Sequence, residues 1–249
     1  MTELEYLKKY LPNDKLEEGI RKYNLGIPVQ YIVGNVDFYG NIIEVNKNVL
    51  IPRFETEELV DRTIKRLKNK TNLDIADLGT GSGCIAIALA KNLDCHIDAV
   101  DISKEALEVA KKNAINNQVS INFYLGDMLT PLNKKYDLII SNPPYIAHDE
   151  EIMSIVKNNE PHIALYADNN GLYYYEKILS NCNKYLNKNG LIAFEIGHNQ
   201  AEIIKRIAYQ YLDCEVVVEK DLQKKDRFIF ISLKNWVVLG GKDEENFYY

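Results

Sequence analysis

Between residues 71 and 234, short apolar runs of strand length alternate with longer stretches in which apolar residues recur at helical spacing. The runs predict strands at 74–78, 96–100, 120–124, 137–141, 191–196, 214–219 and 227–233, and the intervening stretches predict helices at 83–91, 103–116, 171–187 and 199–211. Regular alternation of the two predicts an α/β fold, a doubly wound, seven-stranded, mostly parallel sheet. Too few residues separate the last two strands for a crossover helix, so they are expected to form an antiparallel hairpin.

The first 70 residues follow other rhythms. Leu4, Leu7 and Leu11 make an apolar stripe before Pro12, and Leu16, Ile20 and Tyr23 make another before Gly26. Helices this short cannot enclose a core, so they must pack on the main body or on a partner. Val29, Tyr31 and Val33, then Val36 and Phe38, then Ile43 and Val45, alternate as a small strand pair, with Gly34-Asn35 and Gly40-Asn41 as turn signals. Thr56 is a candidate cap for a helix to about Lys70 that would bury Leu59, Ile64 and Leu67. The expected division is a short helical part at 1–27, a hairpin and linking helix at 28–70, the main α/β domain at 71–234, and a tail at 235–249 without chemistry, disordered with Trp236 docked.

Composition narrows the picture. A chain of 249 residues, 46% hydrophobic and 27% charged, can build a normal core, and a net charge of −6 argues against broad attraction to phosphate backbones. The expected substrate is therefore a protein or a small molecule, not a nucleic acid. Cys84, Cys95, Cys182 and Cys214 lack metal-ligand spacing and lie in or beside apolar segments, so they read as buried thiols. His96, His148, His162 and His198 are too scattered for a metal site, and none is expected. With no leader-like start and no apolar run near 18 residues, the expected setting is the cytoplasm, without membrane attachment.

The candidate chemistry lies at two strand ends. Asp77-Leu78-Gly79-Thr80-Gly81-Ser82-Gly83 joins the first core strand to a helix, where glycines let backbone approach a ligand and the helix offers unpaired N–H groups. The G-x-G-x-G spacing differs from the G-x-G-x-x-G of dinucleotide sites, and no lysine follows as in a phosphate-binding loop. Asp101 closes the next strand, 24 positions after Asp77, near the offset at which a carboxylate meets an adenosine ribose; its other reading is a cap for the following helix. After the fourth strand comes Asn142-Pro143-Pro144-Tyr145. Two prolines fix an extended backbone without N–H groups, which leaves the Pro143 carbonyl and the Asn142 side-chain oxygen as two acceptors for one planar NH₂ group, with Tyr145 able to cover its face. An amide nitrogen so held and aimed at a sulfonium methyl needs no strong base before attack. The competing reading is a tight strand-to-loop turn.

On Gly26 to Gly34, Phe38-Tyr39-Gly40, Leu50 to Glu57, Asp77 to Gly83, Gly126-Asp127-Met128, Asn142 to Ile146, Glu160-Pro161, Asp168 to Leu172, Glu195-Ile196-Gly197 and Lys220-Asp221-Leu222, the chain resembles the bacterial class I methyltransferases that modify the glutamine of the Gly-Gly-Gln motif in peptide-chain release factors. The tetrapeptide alone is shared with DNA-adenine and ribosomal-guanine enzymes; the combination is far more specific. The resemblance implies S-adenosylmethionine as cofactor, S-adenosylhomocysteine as product, a release factor as protein partner, and a monomeric enzyme. It implies that Asp77, Gly79, Thr80, Gly81 and Gly83 position the methionine part of the cofactor, that Asp101 accepts from the ribose, that Asp127 and Met128 contact the adenine, and that Asn142 borders the cofactor. Phe38, Pro52 and Arg53 would line the substrate cleft, with Asn142, Pro143, Pro144 and Tyr145 holding the glutamine; Asn142, Pro143 and Tyr145 are the expected catalytic residues. For Phe38 the other reading is a hairpin core residue, and for Arg53 a salt bridge with Glu57. The chain departs from the pattern in Phe54, where a second proline is usual, in His162, where an arginine often follows Glu160-Pro161, and in reaching Tyr31 after an N-terminal part shorter than usual. A glutamine methyltransferase of a ribosomal protein, and an exocyclic-amine methyltransferase of DNA or RNA, are the alternatives.

Overall fold

A computed structural model describes residues 2–234; the tail with Trp236 lies outside the described residues. Helix α1 (Glu3–Tyr10) opens with a capping box, in which the Thr2 hydroxyl accepts from the Glu5 N–H and the Glu5 carboxylate accepts from the Thr2 N–H. Helix α2 (Asn13–Asn24) follows Pro12, and α3 (Val29–Val33) follows Pro28. The three pack on one another around the fully buried Leu7. Residues 29–33 are therefore helical, not the extended strand expected. Pro28 sets the entry angle, and Gly34 at φ 87° ends the helix after five residues, a length over which Val29, Tyr31 and Val33 cannot distinguish the two periods.

The hairpin is shorter than the apolar alternation suggests. It comprises β1 (Asn35–Phe38) and β2 (Asn41–Glu44), paired Val36 to Ile43, with Tyr39 and Gly40 both at positive φ in the two-residue turn. Helix α4 (Phe54–Leu67) starts two residues before Thr56 and is preceded by Arg53, so Thr56 is not its cap; its hydroxyl is used elsewhere. Val36, Phe38 and Ile43 of the hairpin and Leu59, Val60 and Leu67 of α4 share one buried cluster with Ile75, Ile85 and Ile97. Helix α4 packs on α5 and β7, and β2 packs on α5 and α6, so the expected hairpin part shares its core with the expected main domain.

The rest follows strand–helix alternation: β3 (Leu73–Leu78), α5 (Cys84–Asn92), β4 (Cys95–Asp101), α6 (Lys104–Asn116), β5 (Asn122–Leu125), β6 (Tyr136–Ser141), α7 (Ser154–Asn159), the turn α8 (Asp168–Gly171), α9 (Tyr173–Leu179), β7 (Leu186–Glu195), α10 (Ala201–Tyr211), β8 (Cys214–Lys220) and β9 (Asp226–Leu233). The sheet order is β5-β4-β3-β6-β7-β9-β8, all parallel except β9, which is antiparallel to both neighbours. Alternate residues feed opposite faces: Ile75, Leu138 and Ile140 join the cluster under α4 and α5, while Ala76, Leu78 and Ile139 join one with Tyr175, Phe194 and Ile204.

The helix expected at 171–187 is much shorter. It stops at Leu179, a 3₁₀ turn spans Cys182–Lys184, and β7 begins at Leu186, because pairing of Tyr136 with Leu186 outweighs the helix propensity of the polar stretch. The short α7 gave no clear signal in the sequence. Chain order reverses between β3 and β6, so the loops after these strands face one crevice at the switch point of the sheet. Among the described residues no helix is long and apolar enough to cross a membrane.

Candidate active site

The glycine loop is held by the end of β4. The N–H groups of Gly79 and Thr80 both donate to the Val100 carbonyl at 2.9 Å, and the Gly81 N–H donates to Asp101 Oδ2 at 2.8 Å. Gly79 and Gly81 have φ of 70° and 55°, and a Cβ on Gly81 would meet nothing within 4 Å. Backbone there borders open space. That space is a cleft of about 670 Å³, counting its open mouth, whose lining includes Gly79, Gly81, Asp101, Asp127, Met128 and Asn142.

Asp101 is nearly buried, and burial raises its pKa against the pull of nearby N–H groups. Its Oδ1 accepts from the Ser103 N–H at 2.9 Å, while Ser103 itself caps α6 by accepting from Ala106. The helix already has its cap, and each Asp101 oxygen keeps a lone pair for a ligand hydroxyl. Asp127 is paired with Lys177, which bridges α9 to the cleft.

Three residues expected at the cofactor lie behind the cleft wall. Asp77 is fully buried, and its Oδ2 accepts from the Thr80 hydroxyl at 2.6 Å, so both brace the loop from beneath. Gly83, at φ 81°, lets α5 approach α6, since a Cβ would sit 3.2 Å from that of Ala110. Asp77 Oδ1 has no hydrogen-bond partner, and burial pushes this carboxyl up to about 7, with the Asp101 charge adding to the rise.

A second cleft, of about 860 Å³ including its mouth, opens on the other side of the tetrapeptide, lined by Arg53, Pro143, Tyr145, Ile152, Met153 and Glu195. Leu50, Asn142 and Ala164 belong to both clefts. Asn142 Nδ2 donates to Thr56 Oγ1 at 3.1 Å, and Thr56 donates to Glu195 Oε2 at 2.6 Å. The Tyr145 hydroxyl donates to Glu195 Oε1 at 3.5 Å. Burial pushes Glu195 up to about 7, against the Thr56 hydroxyl and the charges of Arg227 and Arg53. Neither the Pro143 carbonyl nor Asn142 Oδ1 receives a hydrogen bond among the described residues.

The loop beyond the tetrapeptide is pinned. Ile146 forms a parallel bridge with Tyr166, and Gln200 Nε2 donates to the Tyr145 carbonyl at 2.9 Å. Asn169, Asn170 and Gly171 all have positive φ, which folds Gly171 against that carbonyl.

The remaining expectations separate. Phe38 is buried in the core and lines neither cleft, as its alternation with Val36 alone would have placed it. Pro52 borders a different hollow, beside Tyr6, Tyr10 and Gln30. Arg53 does line the second cleft, but its ion pair is with Glu160 at 2.5 Å, not with Glu57; the buried Glu160 also accepts from the Ile51 N–H. Thr56, Glu160, Lys177 and Glu195 were not singled out from sequence as site residues. Glu195 carried a usable signal, a carboxylate closing the apolar run Leu191 to Phe194 as Asp101 closes its own strand; Thr56 and Glu160 lay in resembling segments without an assigned role, and Lys177 carried no signal. No cluster of metal-ligating residues occurs among the described residues.

Comparison with known proteins agrees with this geometry. The Methyltransferase small domain model matches residues 60–162, which hold both the glycine loop and the tetrapeptide. A release factor glutamine methyltransferase of Bacillus cereus is 40% identical over 227 residues, covering 87% of this chain and 80% of that protein. The chain belongs to the release factor glutamine methyltransferase family. The family's Streptococcus pneumoniae member is 42% identical over 209 residues, 82% of this chain and 75% of its own. Solved structures with low identity share the fold: a methyltransferase from Pyrococcus furiosus (TM-score 0.60, 18% identity, 78% of this chain and 89% of that one) and a ribosomal protein L11 methylase from Lactobacillus delbrueckii subsp. bulgaricus (0.55, 22%, 73% and 79%). The family and its class I fold make the protein an S-adenosylmethionine-dependent methyltransferase.

Proposed function

We propose that the protein methylates the side-chain amide nitrogen (N5) of the glutamine in the Gly-Gly-Gln motif of peptide-chain release factors, with the cofactor in the first cleft and the glutamine in the second. The observation that carries this reading is the place of Asn142 on the wall common to both clefts, beside an unbonded Pro143 carbonyl. The relatives named above are release factor methyltransferases, which supports the choice of substrate. A substrate that works on the ribosome supports a cytoplasmic setting, and in this reading the enzyme acts as a monomer on its partner.

The residues present fit the cofactor. Gly79 and Gly81 offer an open backbone, Asp101 has spare lone pairs for ribose hydroxyls, Asp127 and Met128 line the same cleft, and Asp77 and Thr80 hold the glycine loop from beneath. When bound, S-adenosylmethionine supplies an electrophilic methyl carbon on a sulfonium. Asn142 Oδ1 and the Pro143 carbonyl accept the two N–H bonds of the glutamine amide and so fix its plane and direction. Tyr145 walls the second cleft and keeps that plane from turning. Held in this way by Asn142 and Pro143, the nitrogen would face the methyl carbon in line with its bond to sulfur; that bond's electron pair would stay with the sulfur, and the methylated nitrogen would lose one proton to solvent.

Replacing Asn142 by Ala removes one acceptor and leaves the cofactor cleft in place. Cofactor affinity is expected to stay within about threefold while single-turnover transfer to the glutamine falls about 10²-fold, the scale at which misplacing a reacting group is costly. Calorimetry and mass spectrometry of a Gly-Gly-Gln peptide read the two quantities. A folded variant that transfers at the wild-type rate would overturn the role of Asn142 and return the tetrapeptide to a rigid turn.

A further inference from the structure

We propose that Thr56 and Glu195 form a relay that fixes which end of the Asn142 side-chain amide faces the reaction, which makes both of them positioning residues for methyl transfer. The inference rests on the reading of Asn142 as an acceptor for the substrate amide.

The proton inventory decides the matter. A threonine hydroxyl has one proton, and that of Thr56 lies on Glu195 Oε2 at 2.6 Å. Towards Asn142, Thr56 Oγ1 is left with lone pairs alone. It therefore takes the NH₂ end of the amide, which it meets at 3.1 Å, and Asn142 Oδ1, on the other branch of the planar group, is turned away from Thr56. Asn142 has the two clefts on its open side, so the oxygen is the end presented there. Were the amide turned over, lone pairs would oppose lone pairs at Thr56, and N–H donors would oppose the N–H donors of the incoming glutamine.

Burial makes the choice firm. Thr56 is 3% and Glu195 2% exposed, so water is not at hand to satisfy a mismatched partner. The three residues come from separate elements: Thr56 from the first turn of α4, Asn142 from the loop after β6, and Glu195 from the end of β7, whose Phe194 pairs with Ser141. The same carboxyl receives the Tyr145 hydroxyl at 3.5 Å, which ties both polar members of the tetrapeptide to one anchor. A neutral Glu195 serves as well if its carbonyl oxygen keeps the Thr56 side. An asparagine alone does not determine which of its ends it presents; the relay supplies that information.

Thr56→Val preserves shape and removes the relay. At saturating cofactor and peptide it is expected to slow single-turnover transfer about tenfold or more, with cofactor Kd within about threefold, and Thr56→Ser is expected to restore the rate to within about threefold. The decisive measurement is the cycle with Asn142→Ala, in which Thr56→Val is expected to change the rate by no more than about twofold, since no amide remains to orient. A role in folding alone would lower both backgrounds alike and would show in the melting temperature. If Thr56→Val slows the Asn142→Ala enzyme as much as it slows the wild type, or if the folded valine variant transfers at the wild-type rate, the relay is refuted while the role of Asn142 stands. If Asn142→Ala itself costs nothing, the reading beneath the relay fails. Should Thr56→Val not fold, Thr56→Ala in the same cycle carries the same outcomes, since it removes the same hydroxyl and leaves the Tyr145 contact to Glu195 in place.

Discussion

Gly171 offers a test of how the tetrapeptide is held, because the structure gives the size of the perturbation. A Cβ added there would lie 2.0 Å from the Tyr145 carbonyl oxygen, 2.8 Å from its carbon and 2.7 Å from Gln200 Nε2. An ordinary contact begins at 3.4 Å, so Gly171→Ala must drive the two segments apart by about 1.4 Å, and the obstacle is backbone, not a side chain that can swing away. Three costs add. An alanine at φ 79° costs about 1 kcal/mol, the strained packing about 1–3 kcal/mol, and loss of the Gln200 bond to the Tyr145 carbonyl about 1 kcal/mol. The expected destabilisation is about 3–5 kcal/mol, read by urea denaturation. The shift falls on Tyr145 and through it on Pro143 and Asn142, so single-turnover transfer by the folded fraction should fall about 10²-fold. Gln200→Ala is the control without the clash; it removes the bond to the Tyr145 carbonyl and also the one Gln200 Oε1 accepts from the Gly197 N–H at 2.9 Å, so it should cost about 2 kcal/mol and leave the rate within a few fold. A Gly171→Ala enzyme with wild-type stability and rate would show that the close approach of Gly171 to Tyr145 does not position the tetrapeptide.

Three further outcomes are expected. Asn113 ties the hairpin to the glycine loop, with Nδ2 donating to the Glu44 and Ser82 carbonyls and Oδ1 accepting from the Glu44 N–H, so Asn113→Ala should cost about 2–4 kcal/mol by thermal or urea melts; a cost below about 1 kcal/mol would mean that these bonds are replaced by water. Asp77 has its carboxyl raised from 3.8 to about 7 by burial, so the folded state holds its proton more tightly than the unfolded chain, and stability is present below about pH 4 and is lost as pH rises towards and through 7; Asp77→Asn should flatten that slope in melts taken from pH 5 to 8, and an unchanged slope would refute the assignment. Asp101→Ala should weaken S-adenosylmethionine binding about tenfold or more by calorimetry, because it removes the carboxylate from the cleft wall and also the Gly81 tether; unchanged affinity would place the ribose elsewhere.

Most of the fold could be read from sequence, because the period of apolar residues directly reflects the geometry of strands and helices. All seven strands of the main sheet and the antiparallel last pair were legible in this way. So were the two loops that bear the chemistry, since glycine and proline constrain backbone locally whatever lies around them. Errors came where local preference was weak and a distant partner decided. Val29–Val33 became a helix between Pro28 and Gly34, and the 171–187 helix gave way to β7 because Leu186 pairs with Tyr136. Phe38 and Pro52 lie in a matched segment yet face the core and another hollow, since a motif fixes which residues occur together and not where each side chain points. Residues that act through neighbours were the least legible. Thr56 looked like a helix cap and Glu195 like the end of a strand; only the tertiary structure brings residues separated by 86 and 139 positions in the chain into hydrogen-bond contact. Sequence by itself determined the sheet, the glycine loop and the acceptor tetrapeptide, because each is written in adjacent residues. Which end of Asn142 faces the substrate was decided by packing, because a proton's place in a hydrogen-bond chain depends on groups that meet only when the chain has folded.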